Sequence, residues 1–197
     1  MILSGSTLAS VLVATSFAAG LNVYATVATL GLLARAGMLT LPPSLGVLAD
    51  WHVIGACAAL FVLEFVADKI PLFDLVWNVL QTFVRVPVAA LLAFHAASQL
   101  PLQAQLLSAV AGGAIALVAH VGKTSARALV TPSPEPFSNI ALSLGEDAAA
   151  VALTWFATRH PYAAAAVALA GVALIVVSLR AVVEGLRHLL SRYRAQK

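Results

Sequence analysis

"EFVADKIPLFDLVWNVLQTFVRVP", residues 64–87, sets Glu64, Asp68, Lys69, Asp74 and Arg85 into a chain that is otherwise almost unbroken hydrocarbon. Of the 197 residues 61% are hydrophobic and only 10% are charged, and the mean hydropathy is +0.98. A water-soluble domain carries about 25% charged residues, so this chain has too little polar surface to coat a soluble globule. It reads as an integral membrane protein. The Ala/Leu/Val runs are long and lack the short alternating segments of a transmembrane barrel, which leaves an all-α membrane fold.

Working outward from residues 64–87, six hydrophobic segments appear: 6–34, 51–68, 73–98, 103–125, 138–158 and 161–185. Each approaches or exceeds the roughly 18–20 residues that cross a bilayer as helix. The breaks are legible. "RAGMLTLPPSLG" (35–46) and "TPSPEPFS" (131–138) are loops where helix cannot continue. "DKIP" (68–71) and "TRHP" (158–161) are tight turns that put proline near a helix start, where its missing N–H costs little. "SQLPLQAQ" (98–105) is an uncharged connection. The first run continues to Leu33 without a basic leader and reads as a span, not a cleaved signal. Segment three carries Arg85 and Pro87 in its middle and is expected to be broken or re-entrant, which membranes tolerate only inside protein or beside water.

Arg180, Arg187, Arg192, Arg194 and Lys197 make the end of the chain basic. With that tail (186–197) inside, six spans put both termini in the cytoplasm of a bacterial inner membrane, and Lys69, Lys123 and Arg127 fall on the same side. The whole of 1–197 reads as one membrane domain. Two halves, 1–98 and 103–190, share an order of parts: "LLARAG" (32–37) and "TSARAL" (124–129) each lead to a Pro-rich loop, an acidic helix, a Pro turn and a third helix. Three spans per half would make the second an inverted copy of the first, as in many secondary transporters.

Residues three or four apart share a helix face. Asp74, Asn78, Gln81 and Arg85 form one polar stripe on segment three. Thr15, Asn22, Thr26 and Thr29 form another on segment one. Asn139, Ser143, Asp147, Thr154 and Thr158 track a face of segment five, with Glu146 adjacent. Glu64 and Asp68 stand at the end of segment two, and His120, Lys123, Thr124 and Arg127 at the end of segment four. A charged side chain at the bilayer centre costs about 2.5–3.5 kcal/mol on insertion scales, so the deep ones must face inward and find partners. One of the two acids near the middle of segment five, Glu146 or, by preference, Asp147, is expected to pair with Arg85. Hydroxyl and amide side chains on the stripes also have a plainer role, as interhelical glue. Gly20, Gly31, Gly55, Gly112–Gly113 and Gly171 read as points of close helix packing.

One cysteine, Cys57, excludes an internal disulfide and any cysteine-built metal centre. A net charge of +3 concentrated in the tail gives no footing for nucleic acid, and no nucleotide, nucleophile-elbow or zinc-protease motif occurs. No cofactor is expected.

"GLNVYATVATLGLLARAG" (20–37), the 64–87 stretch and "GEDAAA" (145–150) resemble a family of small bacterial integral membrane proteins known as a domain of unknown function. In that family the position after the tryptophan is typically Asp, and here it is Asn78. The resemblance implies no activity. A more distant similarity links "EFVADK" to cation–proton exchangers with a repeated acidic–x–Gly–Asp–Lys–Ser/Thr motif, here without the glycine or the spacing.

The expectation is therefore a small transporter or channel, not an enzyme, for a cation or coupled to protons. Its site would lie between segments one, three and five, with Asn22, Thr26, Glu64, Asp68, Asp74, Asn78, Arg85, Glu146 and Asp147 binding a small ion or polar solute. The bilayer itself and a second copy of the chain are the other expected partners. The alternative is a membrane scaffold whose intramembrane ion pairs only lock helices; a lipid-acting intramembrane enzyme is the third reading.

Overall fold

The computed structural model describes residues 5–68, 70–130 and 137–195, and every regular element among them is a helix. The helices are α1 (Gly5–Leu21), α2 (Val23–Arg35), α3 (Trp51–Ala67), α4 (Pro71–Ala96), α5 (Leu102–Val130), α6 (Phe137–Arg159) and α7 (Pro161–Ala195), with a 3₁₀ turn at Pro43–Ala49 before α3. Four stretches are long and apolar enough to cross a membrane: Val76–Ala96, Leu102–Ala128, Ile140–Arg159 and Pro161–Gly185. The 3₁₀ turn and α3 together make a fifth, bent by 61°. α1 and α2 are shorter apolar helices. The protein is multi-pass.

The element boundaries have local causes. Pro71 and Pro161 open α4 and α7, where a missing N–H is no loss. The Asp50 side chain accepts from the His52 N–H at 2.7 Å and caps α3. Gly37, at φ +69°, follows the end of α2 in the left-handed conformation. The Met38 N–H then turns back to the Leu33 carbonyl at 2.9 Å, closing the helix end. Arg35 holds that corner against the 3₁₀ turn. Its guanidinium donates to the Ala49 carbonyl at 2.8 Å and lies 4.3 Å over the Trp51 ring.

α1 is the axis of the bundle. Every residue from Ala14 to Gly20 is buried, and α1 packs against α2, α4, α5, α6 and α7. A helix apolar all round is one surrounded by others. Two apolar cores lie along it. One joins Phe17, Ala119, Leu153 and Ala164 from α1, α5, α6 and α7. The other joins Ala19, Val23, Leu48, Ala89 and Ala116 from α1, α2, the 3₁₀ turn, α4 and α5. Small side chains dominate because backbones, not long side chains, meet at these crossings. A Cβ on Gly20 would run into the Ala116 carbonyl and lie 2.7 Å from the Ala119 Cβ; one on Gly112 would lie 2.7 Å from the Ala93 Cβ. Gly31 and Gly171 are likewise tight, whereas Gly55 faces open space and is no packing point. Outward, Val167, Leu174 and Val177 on α7 and Phe83, Leu107 and Val110 on α4 and α5 are exposed, as side chains facing lipid should be.

Two expectations from the sequence are corrected. Segment three is not broken: α4 runs continuously through Arg85 and Pro87. Pro87 removes one donor from the ladder without ending the helix, as membrane helices often allow. The break falls in segment one instead, at Asn22, whose backbone is extended at φ −151° and ψ 106°.

Candidate functional site

At Asn22 the chain leaves one helix and begins another within buried protein. The Asn22 carbonyl still accepts from the Thr26 N–H at 3.1 Å, while the Asn22 Oδ1 accepts from the Ala25 N–H at 2.9 Å. Asparagine is among the best helix N-caps for this reason. Its side-chain amide is turned the other way and donates to Asp147 Oδ1 at 2.8 Å. A carboxylate thus sits beside the partly positive N-terminus of α2.

The C-terminus of α1 presents carbonyls, and cations meet them. Arg85 Nη1 donates to the Gly20 oxygen at 3.1 Å, and Lys123 Nζ to the Leu21 oxygen at 3.2 Å. The break therefore has a polarity, with two bases at the end of α1 and an acid at the start of α2. Those two bases begin a network. Arg85 Nη2 forms a very short contact with Glu64 Oε1. Lys123 Nζ lies 3.1 Å from Glu64 Oε1, 3.6 Å from Asp68 Oδ2 and 3.4 Å from Glu146 Oε2. Arg127 Nη2 lies 2.6 Å from Asp68 Oδ2 and 2.7 Å from Glu146 Oε2. Ser143 on α6 donates to the same Asp68 oxygen at 3.3 Å. The side chains of Glu64, Asp68, Arg85 and Lys123 are fully buried, and only Glu146 reaches the rim.

Arg85 is fixed from a second side. Since a guanidinium can only donate, His120 Nδ1, 3.1 Å from Arg85 Nη1, is the acceptor. His120 Nε2 then carries the proton and faces the Asn78 carbonyl at 3.0 Å and the Thr82 hydroxyl at 2.9 Å. His120 is a neutral positioning residue of defined tautomer. Nearby, Gln81 donates to the Tyr24 hydroxyl at 3.2 Å.

The structure gathers Asn22, Glu64, Asp68, Arg85, Glu146 and Asp147 into one cluster. Thr26 is buried at its edge, its hydroxyl bonded to the Asn22 carbonyl at 2.9 Å, and Asn78 contributes a backbone oxygen. Lys69 and the side chains of Asp74 and Asn139 lie outside what is described. The Arg85–Asp147 pair does not form, because Glu64 reaches Arg85 from α3 and Asp147 takes the Asn22 amide. Lys123, Arg127 and His120 were absent from the residues the sequence proposed as the site. Their spacing, at i, i+3 and i+7, was the available signal, since it puts all three on one face of α5.

Among the described side chains, four carboxylates stand beside three permanent or ammonium cations. Asp147 is the acid with no base at hydrogen-bond distance, and its Oδ2 has no hydrogen-bond partner. Glu64 Oε2 and Arg85 Nε are also without one. No group of three or more His, Cys, Asp or Glu among the described residues is arranged to hold a metal ion with the cluster as it stands.

A charged network at a helix break, inside a bundle of apolar helices, defines a multi-pass membrane protein with a buried polar centre. Residues 9–181 match the family model described as Domain of unknown function (DUF4126), and the chain belongs to that family. The match covers α1 from its second turn to the middle of α7 and so contains the whole cluster. No curated protein and no solved structure matches the chain significantly.

Proposed function

We propose that the protein is a small transporter of the bacterial inner membrane, for a cation or coupled to protons, with the cluster at the Asn22 break as its working site. The observation that carries this reading is Asp147. A buried carboxylate beyond the complement of nearby cations is costly unless it holds a proton or a cation. A residue kept in that condition beside an interrupted helix has the chemistry of a coupling site, and interrupted helices are where many secondary transporters bind their ions. In this reading α1 with α2 forms one span and the bent pair another. That gives six spans with cytoplasmic termini, in two inverted halves.

The test is flux into proteoliposomes across a panel of monovalent and divalent cations with an internal pH dye, comparing wild type with Asp147→Asn. The expected result is cation-dependent flux or proton movement that Asp147→Asn abolishes while its thermal unfolding is unchanged. Folded wild-type protein that moves neither cations nor protons across the whole panel sinks the proposal.

One observation favours a second reading, a scaffold with structural ion pairs. Glu64, Asp68 and Glu146 each have a basic partner, as helices merely locked together would require. That reading expects Asp147→Asn to change neither flux nor stability.

A further inference from the structure

Lys123 is the base in the cluster that lies within 4 Å of three carboxylates, hydrogen-bonded to Glu64 and more loosely placed against Asp68 and Glu146. Its ammonium sits among Glu64 Oε1, Asp68 Oδ2, Glu146 Oε2 and the Leu21 carbonyl, at 3.1, 3.6, 3.4 and 3.2 Å. Three of those oxygens belong to carboxylates from α3 and α6, and the fourth is a carbonyl released by the break after α1. Such an all-oxygen shell is what hard cations take. Arg85 already serves Glu64, and Arg127 already serves Asp68 and Glu146. Within that group three negative charges face two guanidinium charges, so the place Lys123 fills calls for one further positive charge. The fully buried Glu64 carboxylate, held only through Oε1, keeps Oε2 as an uncommitted oxygen beside it.

We infer that the Lys123 ammonium is a tethered occupant of a monovalent-cation site formed by Glu64, Asp68, Glu146 and the Leu21 carbonyl, and that a free inorganic cation can take its place. This deepens the transport reading, on which it rests only in taking that site as the one the travelling ion visits. The flexible four-carbon stem of lysine lets its charge leave while the oxygens stay, which a guanidinium fork held by two acids does not. Arg85 and Arg127 therefore build the site and Lys123 gates it. With Lys123 in place the described acids are not arranged to hold a metal ion, so the oxygens must draw in from their ammonium distances before a bare ion is held.

The experiment measures thermal unfolding of the full chain in detergent, in sodium, potassium or N-methylglucamine chloride at equal ionic strength. Wild type and Lys123→Arg are expected to unfold at the same temperature in all three, because the site is filled from within. Lys123→Ala is expected to unfold earlier in N-methylglucamine and to regain about 3 °C in sodium or potassium once either is present at a few times its dissociation constant. Lys123→Ala combined with Glu146→Gln removes one charge of each sign and is expected to lose the dependence on cation. A Lys123→Ala protein that folds and melts identically in the three salts overturns the inference. So does rescue by magnesium or calcium alone, which would contradict the single-charge count. Should Lys123→Ala not fold in any salt, the double variant decides: folded and indifferent to cation, it supports the charge count; unfolded as well, it refutes it. The readout is stability, so cation rescue without flux in vesicles would leave the site standing and remove the transport reading alone.

Discussion

α5 is held in two different ways along its length. Around Gly112 and Ala116 it lies backbone to backbone against α1 and α4, and a single added methyl group has nowhere to go. Two turns later, at His120, Lys123 and Arg127, it is held by charges reaching to α1, α3, α4 and α6. The first half depends on shape and is indifferent to charge. The second half depends on charge, and its long side chains can adjust to changes of shape. Without water, helices have no hydrophobic drive to associate, so packing and polar contacts share that work. Here the two dominate on different stretches of one helix, and they overlap at Gly122, where a Cβ would meet Ile175 of α7 at 2.6 Å.

The largest effect that would break this contrast is at the charged end. Arg85→Met leaves buried Glu64 without its guanidinium and should cost about 3–5 kcal/mol, read as lost folded yield or a lower unfolding temperature in detergent. Adding Glu64→Gln should recover most of it, and a double-mutant cycle measures the coupling. A full loss that persists in the double variant would make Arg85 a packing residue and erase the distinction. At the close-packed end Gly20→Ala should cost about 1–3 kcal/mol, because the Cβ meets backbone that cannot yield. Gly55→Ala, in open space, should be neutral or gain about 0.5 kcal/mol. Equal gains at the two glycines would mean that helix propensity, not contact, sets the outcome. His120→Phe keeps bulk but removes the acceptor for Arg85, and about 1–3 kcal/mol should be lost in the same melt. The smallest expected effect is Thr26→Val, whose hydroxyl bonds only its own helix. A change of about 0.6 kcal/mol is the scale for such contacts, and one much larger would assign Thr26 to the site itself.

How far the sequence foretold this is uneven, for physical reasons. The helices of α3 to α7 were legible to within a few residues through hydrophobic length and proline, apart from the ends of α5 and α7, where the helix continues into polar sequence. The acids Glu64, Asp68, Glu146 and Asp147 and the base Arg85 were legible because burying charge in a membrane is expensive. Which acid meets which base was not, since pairing depends on helix rotation and depth that no stripe specifies. Proline drew the expected break to segment three, yet Pro87 sits in unbroken helix. Asn22 made the real one with no breaker residue, by offering its side chain as a cap and its amide to a carboxylate across the bundle. Lys123 and Arg127 were read as charges at a membrane face because they lie toward a segment end, and the close approach of α3 and α6 is what encloses them.

The charges of the network also lie in a telling order along the chain. α3 brings the acids Glu64 and Asp68, α4 the base Arg85, α5 the bases Lys123 and Arg127, and α6 the acids Glu146 and Asp147. During synthesis, each helix after α3 delivers the sign that the helices already in the membrane lack. Like charges never accumulate beyond a pair before relief arrives. A chain halted after α5 would hold Arg127 with Asp68 but without Glu146, and a chain halted after α4 would leave an acid unmatched. The full set of ion pairs therefore waits for α6, the last helix to bring a member of the network.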